Sequence, residues 1–224
     1  LFRWSTKILA SLILSIGFRK PMFVVQATDN GYCNLPKPKK TEYLIGYFQS
    51  YRWHDALKCG ENLNGIRLKK PSNQFLEFLR SLKENSNIMV HIRLGDYLNE
   101  PTFGIPGPKY YELALTDILR DRNFDSIILF SNDPQAGLEF IPSELRSKVI
   151  VAPDFSGSAA ETLEAMRNMN AYVIGNSSLS WWAATLRYDK NAQVYCPTPW
   201  FKHKIEPGDL IPREWNRING WPNE

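Results

Sequence analysis

Apolar residues recur along this chain in two alternating periods. Short unbroken runs such as Ile88-Met89-Val90 and Ile127-Ile128-Leu129-Phe130 read as strands buried on both faces. Stretches with apolar residues three and four apart read as helices with one buried stripe. Phe75, Leu76, Leu79 and Leu82 predict a helix over 73–84, opened by Pro71, and Tyr111, Leu115 and Leu119 predict one over 108–122. Further helices are expected at 1–20, after Pro134, at 159–168 and at 180–187. Strands are expected at 22–26, 43–48, 88–93, 126–131, 149–152, 171–175 and 193–196. The Pro- and Trp-rich tail from Thr198 is expected to wrap the surface. From residue 88 on, strands and helices alternate, which implies an α/β fold with a parallel sheet covered on both faces.

Composition removes several function classes. With 224 residues, 43% hydrophobic and 22% charged, the chain can bury a sizeable core. A net charge of +4, scattered along the chain, suits a small anionic ligand and is too weak for a nucleic-acid binder. The three cysteines, Cys33, Cys59 and Cys196, are far apart and lack zinc-ligand spacing, which favours a reducing compartment. The apolar run from Ile8 to Phe18 is too short to span a bilayer, which takes about 20 residues. No D-x-D, P-loop, H-E-x-x-H or G-x-S-x-G motif is present, so no metal site is expected.

The polar chemistry gathers at three strand ends. The first is His91, Arg93 and Asp96, where period-2 logic places His91 and Arg93 on one side of the strand. Arg93 offers a planar, permanently charged fork suited to phosphate. The second is Ser131-Asn132-Asp133-Pro134, and the third is Asn176-Ser177-Ser178 at the start of a helix. Hydroxyls and backbone N–H groups at a helix start form an anion site, and Ser178 or Ser180 is expected as the N-cap. In a parallel sheet all three ends share one edge, where open α/β sheets bind ligands. Trp181 and Trp182 are both expected in the core, one packed under the site and the other against a neighbouring element. The sequon Asn176-Ser177-Ser178 is read as coincidence at such an edge.

These residues carry a family resemblance. HIRLGD at 91–96 resembles the H-x-R-x-G-D motif of fucosyltransferases that use GDP-fucose. FSNDP and IGNSSLSWWAA resemble the second and third motifs of the α-1,2-fucosyltransferases, glycosyltransferase family 11. IGYFQSYRW, KYYELAL and CPTPWF resemble further family segments, so the similarity runs from about residue 43 to the end. The resemblance implies a GT-B-like fold: a Rossmann-like GDP-fucose-binding domain over 71–224 and a partial, acceptor-side N-terminal region over 1–70. It also implies inverting transfer of fucose to a galactose 2-hydroxyl, without metal or other cofactor.

Under that resemblance, Arg93 contacts the donor diphosphate, His91 lies close to the nucleotide, and Ser177 and Ser178 lie close to the phosphates. Asp133 and Asn176 join this donor set. The family reads guanine with an acidic residue upstream of the third motif; Thr162 aligns there, so Glu161 beside it is taken. Asp96 and Glu100 are both candidates for the general base. The family opens with a strand and a G-G-L-G-N-Q turn that this chain lacks, so a fragment is expected. The expected partners are GDP-fucose and a galactose-terminated oligosaccharide or glycolipid, with a peripheral membrane contact allowed. The expected location is the cytoplasm at the inner membrane, or the Golgi membrane for a eukaryotic parent. The rivals are a fucosyltransferase of another linkage and a non-catalytic GDP-sugar or carbohydrate-binding module.

Overall fold

The structure is a computed structural model, and it describes residues 23–26, 31–32, 42–45, 48–56, 67–83 and 85–221. The helix expected over 1–20, and Cys33 and Cys59, lie outside the described residues. Two short parallel strands, β1 (Phe23–Gln26) and β2 (Glu42–Ile45), pair with each other. The one-turn-and-a-half helix α1 (Tyr51–Ala56) follows. The rest of the chain builds a six-stranded sheet.

Its elements, in chain order, are α2 (Asn73–Leu82), β3 (Asn87–Ile92), α3 (Pro108–Asp121), β4 (Ser126–Ser131), α4 (Pro134–Leu138) and β5 (Val149–Val151). Then come α5 (Ala159–Met166), β6 (Ala171–Val173), α6 (Ser178–Thr185), β7 (Gln193–Thr198) and β8 (Asn216–Asn219). The strands lie in the order β5-β4-β3-β6-β7-β8, and every pairing is parallel. The first strand of the sheet, β3, is thus central. The chain grows outward through β4 and β5 on one side, then returns to β6 and grows outward again. This reversal makes the gap between the carboxyl ends of β3 and β6 a topological switch point, where doubly wound sheets bind their ligands.

The period of each element explains its layer. β3 is buried along its whole length, and its residues divide between two cores. Met89 packs with Phe75, Phe78, Leu82, Met166, Ala183 and Ala184, the inner stripes of α2, α5 and α6. Ile88, Val90 and Ile92 pack with Tyr110, Ala114, Leu115 and Ile118 of α3. α3 starts cleanly because Gly107 is extended and Pro108 carries a φ already suited to the first turn. α2 starts at Ser72, whose hydroxyl accepts the Phe75 N–H at 3.2 Å.

The structure corrects the sequence reading in three places. The tail from Thr198 does more than wrap the surface. It buries Trp200, Phe201, Leu210, Ile211 and Trp215 and ends in β8, which extends the sheet beyond β7. α6 begins two residues earlier than expected, with Ser177 as N-cap in place of Ser178 or Ser180. Trp182 is not in the core; it is 39% exposed, while Trp181 beneath it is buried. Among the described residues, no helix is long and apolar enough to cross a membrane.

Candidate functional site

β3 hydrogen-bonds through Ile92, and the chain then turns sharply at Leu94. The turn is fixed from the neighbouring strand end: the Leu94 N–H donates to Asn132 Oδ1 at 2.9 Å. Gly95 follows at φ +45, and a Cβ there would collide with the Asn132 amide. Glycine is required at this position for both reasons. The turn releases Arg93 toward solvent, where Nε and Nη2 donate to Asp96 Oδ1 at 2.9 and 2.8 Å. With side chains 38% and 63% exposed, this pair adds little stability; its effect is to fix the direction of the guanidinium.

His91 sits one pleat inward, on the Met89 side of the strand, and is only 4% exposed. Burial, reinforced by the Arg93 charge, lowers its pKa to about 3. The ring is therefore neutral at physiological pH, and its Nδ1 has no hydrogen-bond partner. It supplies a hydrogen-bonding edge, not a second positive charge.

The facing wall comes from β6. Gly175 donates its N–H to the His91 carbonyl at 3.1 Å, and a Cβ there would press on that same oxygen and on the Tyr111 hydroxyl. This close approach ties the third strand end to the first. Asn176 is buried, and its amide donates to the Phe103 and Gly104 carbonyls at 2.9 and 3.1 Å. Its nitrogen is thus committed within the fold, in keeping with reading the sequon as coincidence. Tyr97 donates from its hydroxyl to the Asn176 carbonyl at 3.4 Å. Burial, and then the Asp96 charge, raise the Tyr97 pKa above its ordinary value, so it remains a phenol.

α6 starts at this wall. Ser177 is extended and makes no side-chain cap bond, whereas Ser72, Asp133 and Ser158 each cap their helices. Ser180 turns its hydroxyl back to the Gly175 and Ser177 carbonyls. The first N–H groups of α6 and the exposed Ser178 hydroxyl therefore face the switch point uncapped by any side chain. That is an anion-binding arrangement, with the helix dipole favouring negative charge.

The remaining expected residues occupy more ordinary positions. Asp133 is exposed and accepts the Ala136 N–H at 3.1 Å as the cap of α4. Glu161 is buried, and its two oxygens accept from the Ser72 N–H at 2.5 Å and the Ser72 hydroxyl at 2.9 Å. Both of its oxygens are thus already engaged with the start of α2. Glu100 is half-buried beyond the turn that contains Asp96, and its carbonyl accepts the Phe103 N–H at 3.1 Å. Sequence reasoning did not single out Asn132, although it lies inside a segment named there, or Tyr97, which directly follows the HIRLGD hexapeptide. Among the described residues, no three His, Cys, Asp or Glu side chains gather into a metal-binding group.

Two clefts border α6. One, of about 300 Å³, opens beside Asn176 and Ser178 at its amino end. The other, of about 470 Å³, lies at its carboxyl end among Tyr51, His54, Arg187, Lys190 and Trp215. There Arg187 and Lys190 donate to the Ala184 and Thr185 carbonyls at 2.8 and 3.2 Å, which caps the helix with cations.

Relatives in Escherichia coli include an alpha-1,2-colitosyltransferase, 27% identical over 184 residues, covering 78% of this chain and 62% of that protein. Another is the O-antigen biosynthesis glycosyltransferase WbnK, 26% identical over 185 residues, covering 77% of this chain and 56% of that protein. The chain thus spans little more than half the length of these relatives. Among solved structures, it resembles E. coli ADP-heptose LPS heptosyltransferase II with a TM-score of 0.41 and 16% identity, over 68% of this chain and 44% of that one. The model of the family described as Glycosyl transferase family 11 matches residues 21–219, nearly the whole chain, and the chain belongs to that family.

Proposed function

We propose that the protein transfers L-fucose from GDP-β-L-fucose to the 2-hydroxyl of a terminal galactose, with inversion at the fucose anomeric carbon. One observation carries the reading: Arg93 and the uncapped start of α6 stand on adjacent strand ends, on either side of the switch point. A diphosphate placed there meets a guanidinium from one side and helix N–H groups with serine hydroxyls from the other. In the reaction, the galactose oxygen bonds to C1 as the C1–O bond to the β-phosphate breaks. The departing GDP takes the electron pair, and Arg93 with Ser177 and Ser178 stabilise the charge that grows on it. The hydroxyl proton passes to a carboxylate, for which Asp96 and Glu100 are the candidates. Asp96 also accepts from Arg93, so its second oxygen would serve.

The donor sugar has a second reading. One relative is a colitosyltransferase by name, and colitose is fucose without the 3-hydroxyl. Parallel assays with GDP-fucose and GDP-colitose separate the two. The role of Arg93 is tested by Arg93→Ala in the intact protein. One donor aimed at developing charge is worth about 3–4 kcal/mol, so turnover should fall on the order of 100-fold or more. Calorimetric titration with GDP-fucose should show binding weakened about tenfold, as expected for loss of a charge-assisted bond. Near-normal turnover in the variant would overturn the assignment.

A further inference from the structure

The cleft at the amino end of α6 is walled by aromatic rings. Tyr97 and Phe103 meet at a tilt with centroids 5.5 Å apart, and Phe103 and Phe201 do the same at 5.5 Å. Trp182 lines the same cleft. Its ring meets Trp181 edge-on at 5.0 Å, and Trp181 is pinned by a 3.0 Å bond from its Nε1 to the Leu210 carbonyl. Trp182 is the only aromatic among the large hydrophobic side chains that are exposed in the described residues. Apart from that edge contact, the indole is left open to the cleft it lines.

Two further features point to a polar ligand with an apolar side. Gln49 lines the same cleft, and its Oε1 is buried without a hydrogen-bond donor. The residue before it, Phe48, is held at φ +51, a left-handed conformation that a bulky side chain adopts only when its surroundings impose it. A pyranose meets these conditions. Its axial C–H groups form an apolar patch that lies on an aromatic ring, and its hydroxyls donate to a waiting carbonyl oxygen. The volume, about 300 Å³, is at the small end of ligand sites and fits a single ring better than a chain of them.

We propose that this cleft is a sugar subsite in which Trp182 is the stacking platform and Gln49 accepts a sugar hydroxyl. The inference rests on the donor-site reading in one respect, the position of the phosphates. Ser178 and Trp182 are four residues apart and share one helix face, about 6 Å along the axis. A sugar bonded to a diphosphate at the first turn reaches the indole over that distance, so the transferred sugar is the natural occupant. The acceptor galactose has the same chemistry, and the experiment separates the two.

The test is titration of the chain with GDP, GDP-fucose and lactose, using wild type and the variants Trp182→Ala, Trp182→Phe and Gln49→Ala. Trp182→Ala should weaken GDP-fucose tenfold or more and leave GDP within twofold, while Trp182→Phe retains most of the affinity. Gln49→Ala should show the same selective loss in smaller measure. A selective loss on lactose would keep the subsite and assign it to the acceptor. Equal losses on GDP and GDP-fucose, or no loss on either sugar, would overturn the subsite and leave the donor reading standing. Failure of wild type to bind GDP would overturn the donor reading and the subsite together.

Discussion

His91 shows how a single residue reports its surroundings. Its imidazole is neutral in the folded protein down to about pH 3, against 6.5 for an ordinary histidine. Between those values the unfolded chain binds a proton that the folded protein refuses. Stability must therefore rise with pH across that window and fall as the solution is acidified, by at most about 1.4 kcal/mol per pH unit from this group. His91→Gln removes the titration. Urea unfolding between about pH 6 and 4 should then show a slope shallower by up to one proton. An unchanged slope would mean that His91 takes up a proton as readily in the folded protein as in the unfolded chain. The residue types here were readable from the sequence, since a strand ending in His-x-Arg-x-Gly-Asp announces a polar turn. The burial of His91 was not, because the strand β6 that closes beside β3 arrives some 80 residues later. Asn132 was equally hidden: an asparagine after a strand has many uses, and only the pairing of β3 with β4 brings it to the Leu94 N–H.

At the scale of elements, the tie between Ser72 and Glu161 couples the starts of α2 and α5. Ser72 caps its own helix with its hydroxyl oxygen while donating that hydroxyl proton and its N–H to the Glu161 carboxylate. Glu161 in turn follows Ser158, which caps α5. Ser72→Ala and Glu161→Ala should each cost about 1–3 kcal/mol of folding stability, since either leaves polar groups unpaired. The double variant should lose less than the sum, with a coupling of about 1 kcal/mol in a thermodynamic cycle from urea titrations. Additive losses would show that the contact holds nothing together. The helices α2 and α3 were legible because their apolar stripes follow the 3.6-residue period. β8 was not: its sequence Asn-Arg-Ile-Asn has no apolar alternation, and at a sheet edge it is mostly exposed. The start of α6 was misplaced because three serines near one helix end are interchangeable as caps by type. Ser180 is drawn off by the Gly175 and Ser177 carbonyls, a local competition that the spacing of residues does not reveal.

For the whole molecule, two cores pack on the two faces of one sheet, and Cys196 is placed to test whether they open together. The thiol lies in β7 with no exposed surface, and burial pushes its pKa up to about 12. In a Cys33→Ser, Cys59→Ser background, iodoacetamide near neutral pH should leave Cys196 unmodified until urea unfolds the sheet. Rapid alkylation of the native protein would reveal a local opening between β7 and β8. The alternation of strands and helices made the α/β class and the parallel sheet legible in advance. The strand order came from the crossovers and the tail, which the hydrophobic pattern alone does not rank. One result of that order is practical. The strand ends that carry Arg93, Asp96, Ser177 and Ser178 all stand at the carboxyl edge of the sheet. The turn between α3 and β4 lies at the amino edge, and its Asn123 is exposed. A dye or a surface tether attached through Asn123→Cys would therefore sit on the far side of the sheet, and single-molecule or immobilised assays could watch the mouth of the site without obstructing it.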